Sequence, residues 1–159
     1  MIRILIADDH AVVRDGLRHI LERAGGFEVV AEAVNGYEVV KMAREYSAEV
    51  ILLDLSMPGG NGLDLIRQLR EEHPALRVLV LTMHADEQYV MRAFGSGASG
   101  YLTKESAAME LVNATSKVAG GGTYMSQAIA EKLATCLRQG EEASHPRLSE
   151  REMEEPMRR

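Results

Sequence analysis

The sequence has no tryptophan, one cysteine, four prolines and no long apolar run. The lone Cys136 excludes an internal disulfide and fits a reducing compartment. No apolar stretch approaches the ~20 residues that a membrane span needs. Met1–Ala7 is too short for a signal peptide and runs directly into two aspartates. Positive charge is also in deficit, and a formal net charge of −6 gives no electrostatic case for nucleic-acid binding by the chain as it stands. Internal repeats and low-complexity tracts are lacking, and His10, His19, His73 and His145 do not have the spacing of a zinc site. These absences point to a cytoplasmic protein with no membrane contact. A length of 159 residues, 46% hydrophobic and 26% charged, suits one domain of roughly 120 residues with an addition.

The strongest positive signal is Val50-Ile51-Leu52-Leu53-Asp54, an apolar run that ends on a carboxylate before Met57-Pro58-Gly59-Gly60. Such a run reads as a fully buried strand followed by a turn. Ile2–Ala7, Phe27–Val34, Leu76–Leu81 and Ser99–Thr103 read as further strands, the second of them an edge strand with one wetter face. Between them lie amphipathic helices. The first carries Val13, Leu17, Ile20, Leu21 and Ala24, and the second Tyr37, Val40 and Ala43. The third carries Leu63, Ile66 and Leu69 and closes at His73-Pro74. The fourth carries Tyr89, Val90, Ala93 and Phe94 behind an Asp86 cap. The fifth carries Leu111, Ala114, Thr115 and Val118 behind a Ser106 cap. Five alternating strands and helices predict an α/β fold with a doubly wound five-stranded parallel sheet, flavodoxin-like, in the order 2-1-3-4-5. Beyond Gly120-Gly121-Gly122, Ser126 opens an extra helix with a stripe of Ile129, Leu133, Cys136 and Leu137, where Cys136 reads as a small core hydrophobe. A polar stretch, Gln139–Pro146, reads as a linker.

An aspartate at a strand end is often no more than a turn opener. Here, however, several strand ends are polar together: Asp8 and Asp9, Asp54, Thr82 and Lys104. In the expected order the first and third strands are neighbours, which gathers three carboxylates. That arrangement is unfavourable unless a cation or a raised pKa relieves it. An all-oxygen cluster suits Mg²⁺. Carboxylate, metal, hydroxyl and ammonium together fit phosphoryl transfer, which needs positioning and charge neutralisation. In that chemistry Asp54 is the nucleophile, Thr82 donates a hydrogen bond to a phosphoryl oxygen, and Lys104 neutralises charge.

The set Asp8-Asp9, Asp54 with Met57-Pro58, Thr82 and Tyr101-Leu102-Thr103-Lys104 resembles the receiver domain of bacterial two-component response regulators, over residues 1 to about 120. Leu81-Thr82-Met83-His84 and Gly100-Tyr101-Leu102-Thr103-Lys104-Glu105 are similar to the NarL/FixJ subgroup. The resemblance implies phosphorylation of Asp54 by a sensor histidine kinase. It implies direct Mg²⁺ ligation by Asp9, Asp54 and the backbone carbonyl of Ser56, with Asp8 acting through water. Thr82 and Tyr101 become switch residues, while Ser56 and His84 tune loss of the phosphoryl group. A complete switch needs about 5.5 kcal/mol of differential interaction, and one hydrogen bond to a charged group supplies about 1.5–3 kcal/mol. Thr82 therefore needs help from the Lys104 and backbone contacts or from a dimer partner.

Leu148–Glu154 resembles the opening of a LuxR-type helix-turn-helix domain, with Ser149 and Glu152 forming a capping box. Pro156 then breaks the pattern. The expected organisation is a receiver over 1–121, a helix and linker over 122–146, and a truncated helix-turn-helix opening over 147–159. DNA would be contacted only through the remainder of that domain. The expected role is a signalling module that forms homodimers on phosphorylation, rather than an enzyme. An aspartyl-nucleophile phosphatase would carry a second aspartate where this chain has Ser56. A phosphorylation-independent interaction module would show a degraded site.

Overall fold

The computed structural model describes residues 1–59, 61–83, 87–127, 129–131, 134, 135 and 138. Strands β1 (Ile2–Ala7), β2 (Phe27–Ala33), β3 (Val50–Asp54), β4 (Arg77–Thr82) and β5 (Gly100–Thr103) alternate with helices α1 (Ala11–Ala24), α2 (Gly36–Glu45), α3 (Gly62–Glu72), α4 (Glu87–Gly95) and α5 (Lys104–Ala119). All pairings are parallel, and the sheet runs β2-β1-β3-β4-β5 with a sixth strand, β6 (Tyr124–Met125), beyond β5.

The central strands are mostly apolar because both faces of the sheet are covered, whereas the edge strand β2 keeps Glu28 and Glu32 and is only half-buried over most of its length. Alternate residues point to opposite sides. Leu5, Ile51, Leu53, Val78 and Val80 pack with Val39, Ile66, Leu69, Val90 and Ala93 from α2, α3 and α4. Ile4, Ile6, Val50, Leu52, Leu79 and Leu81 pack with Leu17, Leu21, Leu111, Ala114 and Val118 from α1 and α5. Every residue of β3 is buried, Asp54 included. Among the described residues no helix is long and apolar enough to cross a membrane.

Several expectations need correction. Among the described residues the sheet has six strands rather than five. Gly121, at a φ of 93°, reverses the chain after α5, a backbone conformation that glycine adopts without steric penalty. Tyr124 N–H then donates to Ser99 O at 3.0 Å and Ser126 N–H to Tyr101 O at 3.3 Å. The cap of helix α5 lies three residues before the expected one: Thr103 is the N-cap and its hydroxyl accepts from Ser106 N–H at 3.2 Å. The buried stripe of α2 is Gly36, Val39 and Ala43, whereas Tyr37 is 76% exposed. Ala24 and Tyr89 also face solvent.

The described residues between 127 and 138 are helical, and Ile129 is fully buried in the core. Ala130 N–H donates to the Ser126 carbonyl at 2.9 Å, while the Ser126 hydroxyl is buried without a hydrogen-bond partner among the described residues. Asp86, His84, Leu133, Cys136, Leu137, the 139–146 stretch and the 147–159 stretch lie outside the described residues.

The loop after β3 is pinned against α2. Asn35 caps α2 by accepting from Glu38 N–H at 2.8 Å. The next amide, Gly36 N–H, donates to Pro58 O at 3.1 Å. The approach is so close that a Cβ on Gly36 would lie 2.6 Å from Gly59 O. Met57, 7% exposed, inserts into the core beneath.

Candidate functional site

Strand order brings the ends of β1 and β3 side by side, with Ala7 paired to Leu53, so Asp8 and Asp54 meet at one edge of the sheet. Both carboxylates are buried, at 1% and 2% exposure. Lys104, at the first turn of α5, reaches between them: its Nζ lies 2.7 Å from Asp8 Oδ2 and 3.2 Å from Asp54 Oδ2. The other oxygen of Asp54, Oδ1, accepts from Ser56 N–H at 2.9 Å and from the Ser56 hydroxyl at 2.7 Å. Burial alone would lower the pKa of Lys104, but its contacts with Asp8 and Asp54 outweigh that and raise it above the ordinary lysine value.

Asp9 is less enclosed, with a side chain 32% exposed. Donor atoms of Asp8, Asp9, His10 and Asp54 all lie within 4.8 Å of one another. Among the described residues, three formal negative charges thus face one ammonium, leaving a deficit of two positive charges at this end of the sheet. Hard oxygen donors with that deficit fit a divalent cation such as Mg²⁺. Asp8, Asp9, Asp54 and the adjacent Ser56 carbonyl are the residues that would hold it.

Thr82 ends β4, in register with Thr103 and one position beyond the partner of Asp54. Tyr101 is 1% exposed and its ring faces Phe94, with centroids 6.5 Å apart. Because β6 covers it, β5 is an interior strand, and Tyr101 is packed inward rather than lying on an open edge. Of the residues expected at the site, Asp8, Asp9, Asp54, Ser56 and Lys104 are brought together. Thr82 and Tyr101 lie on the two adjoining strands, and His84 lies outside the described residues.

Two participants were not foreseen. His10 has no metal-site spacing to the other histidines in the sequence, yet its Nδ1 sits 3.1 Å from Asp8 Oδ1 and 3.2 Å from Asp9 Oδ1. Its position next to the aspartate pair was the available signal. Arg14, one helical turn along α1, donates from Nη1 to the Asp8 carbonyl at 2.7 Å and from Nε to Glu32 Oε1 at 2.8 Å. Arg18 pairs with the same Glu32. Only a placement of α1 against β2 could have revealed this bracket.

Comparison with known proteins gives a consistent result. A family model described as the response regulator receiver domain matches residues 4–116. The transcriptional regulatory protein DegU of Brevibacillus brevis is 42% identical over 132 residues, covering 83% of this chain and 56% of DegU. The chain therefore spans little more than half of that relative's length. The response regulator UvrY of Escherichia coli K12 is 37% identical over 156 residues, 97% of this chain and 72% of UvrY. A crystal structure of a LuxR-family two-component response regulator from Aurantimonas sp. SI85-9A1 superposes with a TM-score of 0.80 at 40% identity, covering 84% of this chain and 95% of that one.

Proposed function

Since the chain belongs to the response regulator receiver family, we propose that it works in the cytoplasm, where Asp54 accepts a phosphoryl group from a sensor histidine kinase. The observation that carries this reading is the Asp54 carboxylate, buried at a strand end between the Lys104 ammonium and Ser56, with Asp8 and Asp9 alongside. A carboxylate oxygen of Asp54 attacks phosphorus, the bond from phosphorus to the kinase imidazole breaks, and the imidazole leaves with its electron pair. Asp9, Asp54 and the Ser56 carbonyl would hold Mg²⁺ directly, with Asp8 acting through water, and the ion would supply charge neutralisation for the phosphoryl oxygens. Lys104 then exchanges one carboxylate partner for a phosphoryl oxygen, and the Thr82 hydroxyl turns to donate to another. Phe94 and Tyr101 sense that movement at α4 and β5. Ser56, against the acceptor carboxylate, and His84 tune the lifetime of the acyl phosphate. The chain is a switch rather than a turnover enzyme. Its output is homodimerisation and control of transcription through a DNA-binding domain, a role supported by the regulatory name of DegU and the LuxR-family assignment of the Aurantimonas protein.

Beryllofluoride with Mg²⁺ tests this directly. Amide NMR is the suitable probe, because the chain has no tryptophan. Shifts are expected at Asp54, Thr82, Tyr101 and Lys104 in the wild type and none in Asp54→Ala. Equal shifts in both proteins, or none in either, would overturn the proposal.

A further inference from the structure

We propose that His10 Nδ1 is a ligand of the same cation site, and that it biases the site toward borderline divalent ions such as Co²⁺, Ni²⁺ and Zn²⁺. The inference rests on the cation site of the receiver reading and adds a nitrogen donor to its oxygens. The His10 ring lies 3.1 Å from an Asp8 oxygen and 3.2 Å from an Asp9 oxygen. Neighbouring ligands on an octahedral ion with bonds of ~2.1 Å stand ~3 Å apart. Both spacings are those of hydrogen-bonded pairs, and they also match an octahedron's edge, so the ring need not move to reach the ion.

The ring is not needed to build the loop. The His10 backbone N–H already donates to Asp8 Oδ1 at 2.9 Å, and Arg14 holds the Asp8 carbonyl at 2.7 Å. Among the described residues the only polar partners of the ring are the two aspartates, and its side chain is 63% exposed. The ring spends Nδ1 on a hydrogen bond to Asp8, and ligation would exchange that proton for the ion while keeping the ring where it is. Imidazole is a good ligand for Co²⁺, Ni²⁺ and Zn²⁺, and a poor one for Mg²⁺, which prefers oxygen.

The test uses the full chain as wild type, His10→Gln and Asp54→Asn, titrated calorimetrically with Co²⁺ and with Mg²⁺. Loss of a ligand should weaken Co²⁺ by about tenfold or more in His10→Gln, with Mg²⁺ affinity little changed. Proton NMR of the Co²⁺ form should show a hyperfine-shifted exchangeable imidazole N–H that disappears in His10→Gln. Equal weakening of both ions, or an N–H signal that survives the substitution, would overturn the role of His10 and leave the Mg²⁺ site standing. Failure of either ion to bind the wild type, or unchanged binding in Asp54→Asn, would instead overturn the cation site itself, and this inference with it.

Discussion

Lys104 stands between two buried carboxylates, and its removal would leave Asp8 and Asp54 facing one another without a counter-charge. Breaking a buried pair in this way costs about 3–5 kcal/mol. Lys104→Gln is therefore expected to lower the free energy of urea unfolding by roughly 3 kcal/mol, and added Mg²⁺ should restore part of the loss. Stability unchanged by the substitution in metal-free buffer would show that the ammonium does not balance the aspartates. At this scale the sequence is a good guide to which residues meet wherever a candidate ends a strand or directly follows one, because parallel topology gathers strand ends at one edge. Asp8, Asp54 and Lys104 were legible for that reason. His10 and Arg14 were not. One sits on a turn whose ring direction no periodicity encodes, and the other acts through the Asp8 backbone, which carries no residue-specific signal.

Element boundaries follow local chemistry that the hydrophobic pattern only approximates. Thr103 both ends β5 and caps α5, so it places Lys104 on the first turn of a helix. Thr103→Ala should lower stability by about 1 kcal/mol in thermal or urea unfolding, and should broaden the Lys104 side-chain NMR signals as the first turn frays. The two residues of β6 escaped sequence reading because alternation cannot be recognised over so short a run, and three successive glycines read as a terminus. Its attachment is specific nonetheless: the Tyr124 hydroxyl donates to Glu110 Oε1 at 2.5 Å. Burial, and then the Glu110 carboxylate, push the phenol from 10.0 up to about 12. The folded chain thus holds this proton more tightly than the unfolded chain does. The contribution is complete below pH 10 and is lost as pH rises toward about 12. Urea midpoints across that window should fall in the wild type and fall less steeply in Tyr124→Phe. Parallel slopes would show that the Tyr124–Glu110 contact is not formed in solution.

Taken as a whole, the molecule ties its candidate site to the neighbouring edge of the sheet twice, through the Arg14 side chain and through backbone. The loop that follows Asp54 meets the start of α2 at Gly36 and Gly59, where a single added methyl has no room. Gly36→Ala is expected to cost about 1–3 kcal/mol through overpacking, visible in urea unfolding. It should also perturb the amides of Ser56 and Met57, although position 36 carries no group that contacts a ligand. The consequence for the site is thermodynamic. Ordering one backbone residue costs about 1–2 kcal/mol of conformational entropy. The stretch from Leu55 to Gly59 meets that cost when the chain folds, through the Ser56 bonds to Asp54, the buried Met57 and the Pro58 carbonyl. An ion or phosphoryl group bound at Asp54, as proposed above, would meet a loop that is already ordered, so binding need not oppose the disorder of a free one.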